Sequence, residues 1–199
     1  MNNLRIVAPV VGALALLGTG AVTAPAQAQA PGRTQASAAA SLGRVCMFEA
    51  ERGAYGAGHA AFAVKVRGEK NHWLYGSFGS SNDGPVAGWI KGGTWEKAHQ
   101  HFAGVPDKDH GGAKYYTRYR CVNTRDGDVK RAQSWYGAVQ KRGYNVASNN
   151  CLHMSLAVFK GYSETLRKDT RLKSATGNTP NDYYTKVLRT ARWEGSHQV

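Results

Sequence analysis

The sequence predicts an α+β domain: a small antiparallel sheet packed against about three helices. Three observations carry this expectation. Short apolar or alternating runs at 44–50, 59–66, 72–78 and 115–122 are each bounded by glycine-rich or polar turns. Helical periodicity takes over after residue 126. No repeat of fixed period runs through the chain, so strands first and helices later read as one mixed layer architecture.

The first thirty residues read as a secretory signal peptide rather than structure. Residues 1–5 form a short positive n-region, 6–22 an apolar run broken by Gly and Pro, and Ala28-Gln29-Ala30 offers small residues for cleavage. No second hydrophobic span follows, so the expectation is a secreted, extracellular protein without stable membrane insertion. Residues 31–40, rich in Ala, Ser, Gly and Gln, read as a flexible tether. Residues 41–199 are then long enough for a single domain with its own core.

The 199 residues carry 26 Lys and Arg against 13 Asp and Glu. Arg5 is the only charge in the signal, which leaves 25 basic residues against 13 acidic ones, or +12. Such a surface points to anionic partners such as wall polymers, acidic headgroups or nucleic acid. A monomer is expected.

Taken in order, 44–50 makes a first strand and Gly53, Gly56 and Gly58 a mobile connection. The mostly apolar run 59–66 reads as a central strand, and 72–78 returns antiparallel to it with aromatics suited to cross-strand packing. From 79 to 112 the pattern dissolves into Gly, Asn, Asp and Pro, with one helical turn near 94–102. After the strand at 115–122, a helix runs from Asp126 or Asp128 to Arg142 and stops at Gly143. Its buried stripe is Val129, Ala132, Trp135, Tyr136 and Val139. A second helix runs over 151–160 and is stopped by Gly161. Thr179-Pro180-Asn181-Asp182 opens the last helix with a cap and a proline at its first position; Tyr183, Tyr184, Val187, Leu188 and Ala191 form its inward face.

Three cysteines in an exported chain make an informative odd number. Cys46 and Cys121 both lie in strand-like runs and form the simplest disulfide, which leaves Cys151 as a lone thiol. Cys151 follows Asn149-Asn150 at the mouth of a helix, where unpaired N–H groups and the helix dipole favour thiolate. The competing reading is a small buried hydrophobe. A nucleophilic cysteine needs a base, and His59, opening the central strand after Gly58, is the best placed. His153 points roughly 200° around the helix from Cys151. His99, His101 and His110 with Asp107 and Asp109 match no zinc spacing and read as a solvated loop, so no metal is expected.

The run Gly58-His59-Ala60-Ala61-Phe62-Ala63-Val64, followed much later by Asn150-Cys151-Leu152-His153-Met154, resembles the circularly permuted papain-like hydrolases, including the NlpC/P60-related and lecithin:retinol acyltransferase-like proteins. In that superfamily the histidine strand precedes the cysteine helix. The acyltransferase-like members carry Asn-Cys-Glu-His-Phe; Asn150, Cys151 and His153 match it, while Leu152 and Met154 depart from it. The resemblance implies a third polar residue that orients the histidine from the facing strand. His72 would sit by the turn at the far end of the ladder. With the turn centred near 68–69, His59 faces Ser77 or Phe78, so Ser77 is the candidate, with Asn82 or Asp83 as substitutes.

The resulting expectation is a secreted cysteine hydrolase or acyl-transfer enzyme. Cys151 attacks a carbonyl, His59 shuttles the proton, Ser77 orients it, and the Cys151 backbone N–H with the Asn149 side chain stabilises the oxyanion. Amide bonds, as in wall peptides, are the first expected target and lipid esters the second. No cofactor is required. Arg167, Lys168, Arg171 and Lys173, just downstream of the cysteine helix, are candidates for binding an anionic polymer. The rival from another class is a basic secreted binding or toxin-associated module with the fold but no catalysis. A nuclease ranks last, for want of a metal-and-base motif.

Overall fold

The computed structural model describes residues 42–81 and 84–199. The expected signal (1–30) and tether (31–40), and the substitute orienters Asn82 and Asp83, lie outside the described residues. The fold is α+β, with one six-stranded antiparallel sheet and about five helices.

Strand β1 (Gly43–Ala50) and strand β2 (His59–Lys65) pair antiparallel, and both are buried along nearly their whole length. Burial on both faces is what their continuous apolar runs encode. β3 (Trp73–Ser81) pairs with β2, and β4 (Gly84–Gly93) pairs with β3. On the other side of β1 lie β7 (Arg118–Thr124) and the short β8 (His197–Gln198), which gives the order β4-β3-β2-β1-β7-β8. Between them, β5 (Pro106–Asp107) and β6 (Ala113–Lys114) form a separate two-stranded ladder. The sequence pattern gave no strand at 84–93. Four glycines and a proline erase the alternation there, and the segment is extended because β3 offers it an open edge.

Strand alternation sorts the core into two clusters. Val45, Met47, Phe62, Val64 and Leu74 face one way, against helices α2 (Val129–Lys141), α3 (Cys151–Tyr162) and α5. Helix α5 starts as Pro180–Asp182, passes through a π turn at Tyr183–Val187 and ends as Leu188–Thr190. Phe48, Ala61, Ala63, Trp73 and Tyr75 face the other way, onto α1 (Trp95–Ala103) and Tyr116. The short α4 (Glu164–Lys168) follows α3 directly.

The helix caps follow the sequence. Asp128 caps α2 by accepting from Arg131 N, and Gly143 leaves the helix at φ 73°, the left-handed turn that glycine adopts without a Cβ penalty. Gly161 does not stop α3, which runs on to Tyr162 and is closed by Ser163. The reason is packing: a Cβ on Gly161 would lie 2.9 Å from Cγ of Trp135, so glycine lets α3 cross α2 closely.

Cys46 and Cys121 are direct cross-strand partners of β1 and β7 and form a disulfide. It closes a loop spanning 75 positions, which chain entropy values at roughly 4 kcal/mol. A buried disulfide fits an oxidising compartment. Among the described residues, no helix is long and apolar enough to cross a membrane.

Candidate active site

Asn150 builds the floor of the site. Its Oδ1 accepts from the backbone N–H of Leu152 at 3.0 Å and of His153 at 3.2 Å, the cap that opens α3. The same oxygen meets Nδ1 of His153 at 2.9 Å, which turns that ring toward the cap. Cys151 is thereby fixed in the first turn of α3, buried, with its sulfur toward the beginning of β2.

By alternation His59 belongs to the row of Ala61 and Ala63, on the α1 side of the sheet, whereas α3 packs on the other side. The two meet because the sheet ends there. The ladder between β2 and β3 stops at the Ala61–Ser77 pair. The backbone N–H groups of Ala60, next along β2, and of Leu152 lie near the Cys151 sulfur and favour its charged form. At this open end the imidazole of His59 and the thiol lie close enough for each to shift the protonation of the other.

Electrostatics favour the charged pair. Burial would push the Cys151 thiol up, but the His59 charge, its hydrogen bond and the two backbone N–H groups outweigh this and hold the thiol below the ordinary cysteine value. Burial likewise pushes His59 down, and the Cys151 thiolate outweighs it, so His59 is held above the ordinary histidine value. Each group is displaced toward its ion by the other.

His59 Nε2 lies 2.8 Å from Oγ of the buried Ser77. Ser77 sits diagonally across the ladder, opposite Ala61, while His59 itself pairs with Ala50 on β1. The serine is held in turn by Tyr116, whose hydroxyl donates to Oγ at 3.1 Å. Tyr116 is fully enclosed, and burial raises its phenol far above the usual range, so it stays a neutral donor. Tyr116 carries no signal in the sequence pattern: it precedes β7 and reaches the serine only in the fold.

The Asn149 side chain is not free to meet an oxyanion. Its Nδ2 donates to the backbone oxygens of Val139, at 3.0 Å, and Gly143, and its Oδ1 accepts from Arg142 at 3.2 Å. It ties the end of α2 to the start of α3 and positions the cysteine through the backbone. The group that does line the cleft beside Cys151 is Tyr144, another residue missed in sequence. Burial first, and the thiolate second, raise its phenol to about 12, so it too remains a neutral donor.

The basic stretch does not gather at the thiol. Arg167 and Lys168 lie past the C-terminal end of α3, about 16 Å of helix rise from Cys151, and both pair with Glu164. Arg171 forms a bidentate pair with Asp169. Neither these three nor Lys173 lines the cleft. Among the histidines of the polar loop, His110 is bonded to Asp107 at 2.9 Å. Among the described residues, no three metal-ligating side chains converge.

Comparison with family models, with curated proteins and with solved structures gives no match to this chain.

Proposed function

We propose that the protein is a secreted cysteine hydrolase or acyl-transfer enzyme of permuted papain-like order, acting on amide bonds, with cell-wall peptides as the first substrate class to try. The observation that carries this reading is the contact between the Cys151 thiol and His59, each shifted toward its charged form, with Ser77 holding the far nitrogen of the ring.

The chemistry runs as follows. The Cys151 thiolate attacks the carbonyl carbon, forming a carbon–sulfur bond and placing negative charge on the carbonyl oxygen. The backbone N–H of Cys151 and the Tyr144 hydroxyl are the donors for that oxygen. Collapse of the tetrahedral adduct breaks the bond to the leaving amine, which takes the proton of His59. Water then enters, gives a proton to neutral His59 and attacks the thioester. The acid product departs and the sulfur leaves as thiolate, which restores the ion pair.

The test uses the purified mature domain with peptidoglycan fragments and with simple esters. Wild-type protein should turn over at least one class, and Cys151→Ala should abolish turnover while thermal unfolding stays close to wild type. A Cys151 thiol that alkylates slowly at every pH, with no turnover, would leave the basic binding module as the reading.

A further inference from the structure

We propose that the cleft beside Cys151 is an acyl pocket for short, uncharged, apolar groups: an acyl chain of two to about four carbons, or a residue of alanine to valine size. The proposal rests on the acyl-transfer reading above and names the substrate class for that site.

Size and lining carry it. The cleft is open to solvent on one side and offers about 180 Å³, a small volume. Its walls are the side chains of Ala54, Ala57, Val146 and Pro180, with Gly58 adding backbone alone. Apart from the Cys151 sulfur, the polar groups that reach it (Tyr144, Asn150, Asn178 and Thr179) are neutral, and among the described residues no Asp, Glu, Lys, Arg or His lines it. A carboxylate or ammonium on the acyl chain would lose water there without gaining a partner of opposite fixed charge among Ala54, Ala57, Val146 and Pro180. This is unexpected next to the basic surface of the rest of the chain, and it separates what the surface attracts from what the pocket accepts.

The walls are also fixed in place. Residues 51–58 form a loop in which Ala54 and Tyr55 hold left-handed φ values of 49° and 56°, a conformation that non-glycine residues keep only under restraint. The restraint is Asn181. Its side-chain amide donates to the backbone oxygens of Glu51 at 2.9 Å and Gly56 at 2.8 Å, and its own N–H donates to Ala57 O at 3.1 Å. Gly58 faces the same residue so closely that a Cβ would lie 2.4 Å from the Asn181 Oδ1. A pocket braced in this way discriminates by size, because it does not widen for a longer chain.

The rim gives the same preference. Tyr55 and Val146 are two of the three large hydrophobic side chains left exposed among the described residues, and Val146 is 73% exposed. Val146 forms part of the wall and is placed to cover the apolar part of a substrate as it enters, whereas Tyr55 follows Ala54 along the chain with its side chain wholly in solvent.

Acyl donors that share one leaving group read the pocket directly. With 4-nitrophenyl esters, the thiolate sulfur bonds the acyl carbon, 4-nitrophenolate leaves with the bonding pair, and water cleaves the thioester. From acetyl to butyryl, kcat/KM should rise by about fourfold per methylene that becomes buried. It should fall at octanoyl, and succinyl should be at least tenfold poorer than butyryl. Val146→Lys, at an exposed position that tolerates the change, should raise the succinyl-to-butyryl ratio tenfold or more. Ala57→Leu should lower the butyryl-to-acetyl ratio.

The second measurement needs no turnover: second-order rates of Cys151 modification by N-methyl-, N-butyl- and N-carboxypropyl-maleimide. The butyl reagent should lead and the carboxylated one should trail. If this order holds while no ester is hydrolysed, the enzyme reading fails and the pocket stands. If esters are hydrolysed but succinyl matches butyryl, or octanoyl is fastest, the pocket inference is overturned and the enzyme reading survives. No selectivity in either assay overturns it as well.

Discussion

The hydroxyl of Tyr116 donates to Oγ of Ser77 at 3.1 Å, and that same oxygen meets His59 at 2.8 Å. Ser77 therefore receives the proton of a neutral phenol on one lone pair and offers the other to the imidazolium. Tyr116 touches neither thiol nor cleft, so it acts as a positioning residue through Ser77. Tyr116→Phe, which keeps the ring, should lower kcat about fivefold with KM unchanged, the value of one buried hydrogen bond. Ser77→Ala should cost more, and adding Tyr116→Phe to it should cost almost nothing further. Equal and additive losses would show that Tyr116 only fills space.

The ion pair sets the pH dependence of alkylation. The thiolate appears as pH rises through a Cys151 value held below the ordinary one, and the imidazolium persists until pH passes a His59 value held above its own. Iodoacetamide rates should rise with a midpoint well below the usual thiol value of about 8.5. His59→Ala removes the largest charge favouring thiolate and should move that midpoint upward. An unmoved midpoint would leave the helix end alone responsible.

Glu49 gives a separate pH signature, in stability. It is completely buried on β1, and burial raises its carboxyl to about 7 in spite of Arg118 Nε at 2.5 Å from Oε2. Its Oε1 has no hydrogen-bond partner. The folded state keeps the proton where the unfolded chain, near 4.5, has released it, so the Glu49 contribution to stability is fully present below about 4.5 and is lost as pH rises through about 7. Glu49→Gln should flatten that slope and, at pH 8, recover on the order of 1–3 kcal/mol. A melting temperature that rises with pH over this interval in the wild type, with the slope removed by Glu49→Gln, would reverse the assignment.

Gly161 offers a test of packing alone. Alanine is normally the better helix residue by about 1 kcal/mol, yet here its methyl group would press on Trp135. Gly161→Ala should therefore destabilise by about 1–3 kcal/mol, and pairing it with Trp135→Leu should return much of the loss. Denaturant unfolding of the two variants and their combination measures this.

Much of the α+β fold was legible because burial and periodicity agree in β1, β2 and α2, where apolar residues recur at the spacing of their element. The disulfide was legible from strand-like context around Cys46 and Cys121. β4 was not, since Gly84, Gly88, Gly92 and Gly93 remove the side chains from which alternation is read, and only pairing with β3 makes the segment a strand. The end of α3 was misplaced for a related reason: Gly161 marks a helix crossing, and sequence alone reads it as a stop. Near Cys151, His59 and the cysteine stand at positions that local rules fix, a strand start and the first residue after a helix cap, whereas Ser77 pairs with Ala61 rather than with His59 and meets the ring only across the diagonal. Tyr116, Tyr144 and the true bonds of Asn149 depend on contacts between distant elements, for which spacing along the chain carries no signal.

The placement of the three cysteines separates a structural pair from a lone thiol. Cys151 is a strong attacking thiol only once α3 and the open end of β2 have come together, because its low pKa comes from His59, Ala60 N–H and Leu152 N–H. That assembly requires β2 to be docked on β1, the strand whose other edge pairs β7 and holds Cys46 directly against Cys121. Before docking, the third thiol is an ordinary one, slow to exchange at neutral pH. After docking, its two possible partners are bonded to each other and enclosed. In the folded chain the two cysteines that could bond the lone thiol are thus bonded to each other on the strand pair that backs its site.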